Sequence, residues 1–280
     1  MTYNATVIAD TIGPAGDRMI TVEATYWRAI HPQMLHHRTF SRGASSNRAM
    51  PVLAVLERTQ QNPTMPVFWG KKRKGMQATD ELSAEQIEVC KRLWLGALDS
   101  MASYVRELDN IGLHKQVTNR LIEPWQDITA IYSGTDWSNF FKLRCHKDAQ
   151  PEEQLIARLI REAIEDSTPV ERDWHLPYVT NAEMNTRTLR DLIRFSVARC
   201  ARVSYLNHDG LYAPDDDIVL YDRLLASDPP HSGPLEHVAL ADAVGGFKFY
   251  NLTGFMSWRY LIEQSCAEYM DLDGTLTPAA

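Results

Sequence analysis

The run of residues 33–48 is the segment that most restricts how this chain can fold. It holds two adjacent histidines, three arginines and three serines, but only three large apolar residues. Such a run cannot be a core helix or strand, because its polar groups would each need a charge or hydrogen-bond partner once buried. It follows residues 19–27, where apolar and polar side chains alternate as in a half-buried strand. The pattern predicts a strand that leads into a polar, cation-rich loop.

Two interpretations of this loop remain open from its residues alone. A rigid strand that presents arginines on a loop is a common way to hold a phosphorylated ligand. A solvated basic loop without any ligand has the same composition. A choice between them needs evidence from the rest of the chain.

The overall composition is that of an ordinary globular protein, with 44% hydrophobic and 23% charged residues. The formal net charge of -7 disfavours a general nucleic-acid-binding role. Four scattered cysteines without a CxxC pair argue against a zinc site and a disulfide framework. No run approaches the roughly 18 apolar residues of a membrane span, and the N-terminus lacks a signal-peptide pattern. We therefore expect a soluble, cytoplasmic protein without a metal.

Hydrophobic spacing predicts a mixed α/β protein of the α+β kind, in which a small sheet accompanies long helices. The clearest element is a helix that opens at Ser83 with a capping box and ends at Gly112, with its 3,4-spaced apolar residues in the core. Other helices are predicted over 51–61, 136–144, 151–164, 188–203, 218–225 and 252–262, strands over 6–9, 19–27, 128–132 and 238–244, and a loop over 167–180. We expect a single domain over residues 1–280.

Two charged clusters allow a structural and a functional interpretation. Residues 71–74 place four cations next to two aromatic residues, which fits a solvated turn or an anion-binding loop. The acidic turn 215–217 is interpreted as the N-terminal charge of a helix and not as a metal site.

Five motifs are spread over residues 33 to 237. The first three are found at Gln33, His37, Arg38, Ser41, Ser46 and Arg48, at Arg120 and Pro124, and at Asn139, Phe140, Arg144, Ala149 and Gln150. The last two are found at Ala201, Arg202, Val203 and Ser204, and at His231, Pro234, Glu236 and His237. Together these segments resemble the flavin-dependent thymidylate synthases, whose Arg-His-Arg, Arg-x-x-x-Pro, Asn-Phe-x-x-x-Arg, Ala-Arg-Val-Ser and His-x-x-Pro-x-Glu-His elements they match.

The order of the motifs differs from that of the family. There the Ala-Arg-Val-Ser and Glu-His elements precede the Arg-His-Arg run, whereas here they follow it. A circular permutation explains this order, and a chain tolerates one when its original termini lie close together and the new break falls in a loop. Residues 245–280 match no motif and are interpreted as a C-terminal addition.

Several motif positions carry other residues than the family pattern. The first arginine of Arg-His-Arg is His36, and the family's Asn-Glu pair is replaced by Gly43 and Ala44. A histidine expected after Arg144 is Asp148, and the threonine before Pro234 is replaced by Gly233. Either Arg42, Asn47 or residues 71–74 compensate, or the substrate or reaction has changed.

The resemblance implies reductive transfer of a one-carbon unit from methylenetetrahydrofolate to carbon 5 of dUMP, which gives dTMP. Reduced FAD supplies the hydride in this chemistry, and NADPH regenerates the reduced flavin. The route needs no cysteine nucleophile, in agreement with cysteines that lie outside the motifs. The family also implies a homotetramer with active sites between subunits.

The same resemblance assigns roles to individual residues. Arg48 and Arg120 would hold the nucleotide phosphate, because a guanidinium binds phosphate through two hydrogen bonds. Arg144 would face the uracil edge and stabilise the negative charge that develops on the ring. Gln33 and Ser46 complete the substrate set, and the flavin would be lined by His37, Arg38, Asn139, Ser204 and Glu236.

Three functions therefore compete. The first is flavin-dependent thymidylate synthesis. The second is a related one-carbon transfer in which water traps the methylene adduct, as in hydroxymethylation of dUMP. The third is a non-catalytic nucleotide- or RNA-binding protein that kept the fold without the Asn-Glu pair.

Overall fold

The computed structural model describes residues 3–205 and 213–264 of the chain. Its strands are β1 (Asn4–Ile12), β2 (Arg18–Trp27), β3 (Ser41–Ala44), β4 (Asp127–Gly134), β5 (Val170–Glu171), β6 (Trp174–His175), β7 (Ala239–Ala241), β8 (Lys248–Phe249), β9 (Leu252–Thr253) and β10 (Phe255–Ser257). Its α-helices are α1 (His31–Met34), α2 (Val52–Gln61), α3 (Ala84–Ile111), α4 (Lys115–Thr118), α5 (Ser138–Arg144), α6 (Pro151–Glu165), α7 (Asn181–Met184), α8 (Leu189–Arg202), α9 (Pro214–Ala226) and α10 (Trp258–Glu263). These elements confirm the predicted mixed fold with small sheets and long helices.

A five-stranded sheet in the order β3-β4-β2-β1-β5 forms the centre of the molecule. Neighbouring strands are antiparallel except β1 and β5, which are parallel. Alternate residues of β2, namely Ile20, Val22, Ala24 and Tyr26, are buried on one face, as expected for period-two side chains. The strand predicted over residues 19–27 is thus confirmed.

Helices α5 and α6 cover this first face of the sheet. Pro151 stands in the first turn of α6, where its fixed φ suits a helix start. Four residues of α6 then pack into the core with 3,4 spacing, namely Ile156, Ala157, Ile160 and Ile164. This face and its helices form the largest of the apolar clusters in the described part of the chain.

The opposite face of the sheet is covered by α8 and by the 3-10 segment Val203–Tyr205. Ile131 of β4 packs there against Cys200 and Val203. Beyond this contact, α8, α9 and α10 enclose a second core that includes Phe195, Tyr221 and Trp258. Ile131 and Tyr132 are neighbours in β4, but their side chains pack on opposite faces of the sheet.

Helix α9 confirms that the acidic turn supplies charge at the start of a helix. Its first turn contains Asp215, Asp216 and Asp217. Asp217 is fully buried and accepts hydrogen bonds from Arg199 and Arg202, both at 2.9 Å. Among residues 3–205 and 213–264 no group of side chains is arranged to hold a metal ion.

Helix α3 begins and ends as predicted but is less buried than its pattern indicated. The Ser83 side chain and Gln86 form the capping box, and Gly112 ends the helix in the left-handed region with φ 90°. Of its apolar residues only Leu98, Ala102 and Val105 are buried. The prediction that the whole apolar set is core is therefore wrong, because the helix packs through one narrow stripe.

The prediction that residues 33–48 form only a loop is also wrong. The run contains the end of α1 and the edge strand β3, and several of its polar side chains are buried. Distant segments supply the partners: Asn251 donates to Ser41 Oγ at 3.1 Å, and Asn47 donates to Gln126 at 2.7 Å. Burial of a polar run is tolerated because its groups are hydrogen-bonded.

The C-terminal third departs from the sequence prediction in detail. The helix predicted over 252–262 begins only at Trp258, because Gly254 adopts φ 69° and Ser257 caps α10. The strand predicted over 238–244 is reduced to β7, and the loop predicted over 167–180 contains the short strands β5 and β6. Residues 245–264 contribute Leu252, Phe255 and Trp258 to the cores, while the remainder of the supposed addition and Cys266 fall outside the described residues.

No helix in the described part of the chain combines the length and the apolar character needed to cross a membrane.

Candidate functional site

A cleft of about 1020 Å³ opens beside the first face of the sheet, and we call it the Arg144 cleft. Three segments line it: the end of β2 with α1, the connection between α5 and α6, and residues 66–79. Gln33, Arg144 and Gln150, which belong to two separate motifs, meet at its wall. Its lining includes Trp27, Phe68 and Met76, so the cleft offers both apolar surface and charge.

Arg144 is held by two partners at this cleft. Its Nε donates to Nε2 of His37 at 2.7 Å, and its Nη1 donates to Oε2 of Glu153 at 3.0 Å. The Arg144 side chain is 20% exposed, whereas that of Glu153 is completely buried. Nη2 makes no hydrogen bond to any residue in the described part, so it is the group that Arg144 can offer to a ligand.

His37 serves Arg144 as a neutral acceptor. Burial, followed by the Arg144 charge, lowers the pKa of His37 to about 4. At neutral pH the ring is uncharged, and because Nε2 accepts a hydrogen bond, the proton resides on Nδ1. The ring also stands edge-on against Phe140, with 4.9 Å between centroids, which fixes its plane.

Glu153 was not among the residues that the sequence pointed to. It belongs to a Pro-Glu-Glu start of α6, a pattern that normally places exposed charge in the first helical turn. Here the side chain is buried, and burial raises the pKa of Glu153 against the opposing effect of the Arg144 guanidinium. Oε1 of Glu153 has no hydrogen-bond partner, so Arg144 is its principal compensation.

A series of linked hydrogen bonds runs along the same wall of the cleft. Gln33 donates from Nε2 to Oε1 of Gln150 at 2.6 Å, and Gln150 donates to Oε2 of Glu152 at 2.9 Å. The other oxygen of Glu152 accepts the backbone amide of Val67 at 3.1 Å. These bonds fix the amides of Gln33 and Gln150 where they border the cleft.

The residues predicted to hold the nucleotide phosphate lie elsewhere. Arg120 is paired with Glu123 at 2.8 Å, and Arg48 is exposed without a side-chain hydrogen bond to any residue of the described ranges. Ser46 follows β3 and donates its backbone amide to the carbonyl oxygen of Ser204 at 3.0 Å. The first motif therefore begins at the Arg144 cleft, where His37 lies, and ends next to Ser204, which accepts the backbone amide of Ser46.

The residues predicted to line a flavin are not collected into one pocket of a single chain. Asn139 and Arg38 are exposed, and Glu236 forms an ion pair with Arg259 at 2.6 Å. His37 packs with Phe40 and thereby with Tyr132 on the first face of the sheet. Ser204 directly follows Val203, which packs against Ile131 on the opposite face.

Gly43, one of the two departures from the family's Asn-Glu pair, has a structural explanation. A Cβ atom at this position would lie 3.2 Å from Cγ1 of Ile131 and 3.4 Å from Nε2 of His237. His237 is fully buried, and burial lowers its pKa to about 3. The neutral imidazole ring thus occupies the space next to β3 that a larger side chain at position 43 would enter.

No protein family and no curated protein sequence matches the chain. Among solved structures, it is similar to the UMP/dUMP methylase PolB from Streptomyces cacaoi bound with 5-Br dUMP, at 16% identity and a TM-score of 0.44 over 52% of this chain and 66% of that one. The same methylase bound with 5-Br UMP gives 10% identity and a TM-score of 0.46 over 58% and 88% of the two chains. Thymidylate Synthase X from Helicobacter pylori, solved with FAD and dUMP, gives 14% identity and a TM-score of 0.37 over 52% and 67%.

At such identities and TM-scores, the similarity concerns the fold alone and carries no argument about the reaction.

Proposed function

We propose that this protein transfers a one-carbon unit to carbon 5 of dUMP, giving dTMP, in a flavin-dependent reaction with methylenetetrahydrofolate and NADPH as co-substrates. The observation that carries the proposal is the environment of Arg144. Gln33, Arg144 and Gln150 come from separate parts of the sequence, yet they line one cleft, where the Arg144 guanidinium is held between His37 and Glu153. This arrangement suits a site that stabilises charge on a bound pyrimidine ring.

Arg144 would act by electrostatic stabilisation. Carbon 5 of uracil becomes a nucleophile when the ring turns enolate-like, with negative charge shared between carbon 5 and the carbonyl oxygen, and a fixed guanidinium next to the ring would lower the energy of that state. The bonds to His37 and Glu153 hold the guanidinium in position before the substrate binds, so the side chain needs little reorganisation during the reaction. The amides of Gln33 and Gln150 suit the uracil edge, which carries both donors and acceptors.

The flavin proposal requires more than one chain. His37 and Ser204 lie on opposite sides of the central sheet, so the predicted flavin residues do not fit one isoalloxazine ring within a single subunit. We therefore propose a cytoplasmic homotetramer in which these residues from different subunits face each other. When bound, the reduced flavin would supply the hydride, and this chain would contribute substrate orientation at Arg144.

The position of β7 next to the β1–β2 turn supports the proposal that the chain is circularly permuted. This strand follows the Glu-His motif, and its residues Ala239 and Ala241 pack in one cluster with Met19, near the start of β2. A Cβ atom on Gly13 would lie only 2.7 Å from Cβ of Ala241, which shows how close the β1–β2 turn is to the end of β7. A direct connection from β7 to β2 would restore the family order of motifs.

The absence of the Asn-Glu pair favours a second candidate, the hydroxymethylation of dUMP. Gly43 and Ala44 contribute neither an amide nor a carboxylate at the place where the family carries both. Without these two polar side chains, fewer protein groups would compete with water for the methylene adduct, and water that adds to the adduct yields a hydroxymethyl product. The two reactions share the substrate and the role of Arg144.

Three measurements on the purified protein test the proposal. Denaturation should release a non-covalent flavin, or added FAD should bind to the folded apoprotein. Incubation with dUMP, methylenetetrahydrofolate and NADPH should yield dTMP, whereas a hydroxymethyl nucleotide of higher mass would select the second candidate. Arg144→Met should lower turnover by roughly a hundredfold, and the matched control Arg158→Met, which changes an exposed arginine of α6, should retain it. If the folded protein binds no flavin and forms neither product, the proposal is wrong.

A further inference from the structure

A second, smaller pocket lies where β2 ends and β4 begins, beneath α2. Residues from these elements and from the Ser45–Asn47 turn line it, and we call it the Arg28 pocket. Arg28, Arg58 and Gln126 point polar groups toward it, and none of the three belongs to a motif of the sequence. Nothing in the proposed reaction uses these residues.

Two buried hydrogen-bond donors in this pocket have no acceptor. Nε2 of Gln126 and Nε of Arg28 are both buried and make no hydrogen bond. Gln126 is only 6% exposed, and its Oε1 accepts Nδ2 of Asn47 at 2.7 Å. Because Asn47 also donates to the Glu123 carboxylate at 2.8 Å, the orientation of both amides is fixed and the NH2 group of Gln126 must face away.

The charges around the pocket do not cancel. Three guanidinium groups, those of Arg28, Arg58 and Arg120, stand near two carboxylates, those of Glu123 and Asp127. Arg58 pairs with Asp127 and Arg120 pairs with Glu123, so within the described ranges Arg28 is left without an ion pair. Burial lowers the pKa of Arg28, which shows that its charge is held at a cost in free energy.

We infer that the Arg28 pocket binds the phosphate group of a phosphorylated ligand or a free phosphate ion. Arg28 and Gln126 supply two N–H donors, and the hydroxyls of Ser45 and Ser46 at the pocket wall can supply two more. A water molecule would satisfy the donors but would leave the unpaired positive charge of Arg28 in place. A phosphate group satisfies both, and Arg28 would then share with Arg48 the role that the sequence predicts for Arg48.

The test uses the full-length protein and inorganic phosphate as the probe, at constant ionic strength and with chloride as the reference anion. Phosphate should raise the unfolding temperature of the unchanged protein, and calorimetric titration should yield its affinity. Gln126→Glu places a carboxylate against Arg28 while Oε1 still accepts Asn47, so this variant should fold well and weaken phosphate binding by roughly tenfold to a hundredfold. Arg28→Met should weaken binding to a similar extent.

Arg106→Met is the matched control, because Arg106 is an exposed arginine of α3 whose Nη2 contacts only Gln60 in the described part. This variant should bind phosphate as the unchanged protein does. If Gln126→Glu also binds phosphate with unchanged affinity, or if the folded unchanged protein binds none, the inference is wrong. The readout needs neither flavin nor turnover, so its outcome is independent of the proposed reaction.

Two further titrations identify the source of the phosphate group. If the pocket holds the nucleotide phosphate, Gln126→Glu weakens the binding of dUMP but leaves that of deoxyuridine unchanged. If the pocket holds a separate anion, Gln126→Glu weakens the binding of inorganic phosphate and leaves dUMP binding unaffected. Both results support a phosphate site at Arg28, and they assign it to different ligands.

Discussion

Arg144 donates from Nε to Nε2 of His37 at 2.7 Å, and this bond joins two residues that are 107 positions apart in the chain. The acceptor is a neutral histidine because burial lowers its pKa to about 4. The carboxylate of Glu153 holds the other side of the same guanidinium. The position of Arg144 is thus set by two groups of different charge, which gives the side chain one orientation at the cleft.

The first prediction separates the roles of Arg144 and Arg48. Arg144→Ala should lower kcat more than it raises KM for dUMP, because a group that stabilises developing charge acts mainly in the transition state. The expected loss is about 3 kcal/mol of transition-state stabilisation. Arg48→Ala, which removes an exposed side chain beyond β3 that would share the nucleotide phosphate with Arg28, should chiefly raise KM. Steady-state kinetics of both variants decide this, and a normal kcat with raised KM in Arg144→Ala contradicts the assigned role.

The second prediction concerns stability and uses the same arginine. Arg144→Ala leaves the buried Glu153 carboxylate without its counter-ion, which should lower the free energy of unfolding by about 3 kcal/mol. Glu153→Gln added to this variant should recover most of the loss, since it removes the unpaired charge. Urea unfolding of the two single variants and the double variant measures the coupling. Equal and additive losses would show that the ion pair has no such role.

The local elements could be predicted from the sequence because their signals are local. The Ser83 capping box and Gly112 lie at the two ends of α3, and the alternation of residues 19–27 forms β2. The edge strand β3 was missed because its polar residues are paired by segments such as Asn251, far away in the chain. Hydrophobic patterning does not contain that information.

The candidate site was predictable only in part, for the same reason. The motif resemblance pointed to Gln33, His37 and Arg144, and the structure brings these three together. Glu153 was missed because its sequence context is that of an ordinary helix start. Arg28 was missed because a single arginine after a strand has the sequence context of a solvated charge. Only the structure shows that its Nε is buried without a hydrogen-bond partner.

The third prediction is a loss of stability in mild acid. Burial lowers the pKa of His31 and His37 to about 4 and that of His175 and His237 to about 3, from an ordinary value of 6.5. Since the unfolded chain binds protons at these sites more readily, the stability from neutral histidines is fully present above pH 6.5. It is lost as the pH falls from 6.5 towards 3.

His175 and His237 should dominate this effect because both belong to one buried hydrogen-bonded chain. His237 bonds to Ser133 at 2.8 Å, Ser133 to Thr21 at 2.6 Å, and Thr21 to His175 at 2.7 Å. Urea unfolding at neutral pH and at about pH 5 should show a smaller pH effect in His175→Gln than in the unchanged protein. The exposed His146 is the control, and His146→Gln should leave the pH effect as it is. Equal pH effects in all three proteins would contradict the prediction.

The last prediction concerns the assembly of the protein. Helix α3 exposes 65% of Leu93 and 54% of Tyr104, although large apolar side chains are normally buried in a long amphipathic helix. A second copy of the chain that covers this side of α3 would remove the exposed apolar area from water. We expect a homotetramer in light scattering, and Leu93→Glu with Tyr104→Glu should produce smaller species, because two buried charges oppose association. Val219→Glu changes an equally exposed residue of α9 and should leave the tetramer intact.

A tetramer that survives the double change would show that α3 lies outside the contact, whereas a monomer in the unchanged protein would rule out an active site shared between subunits.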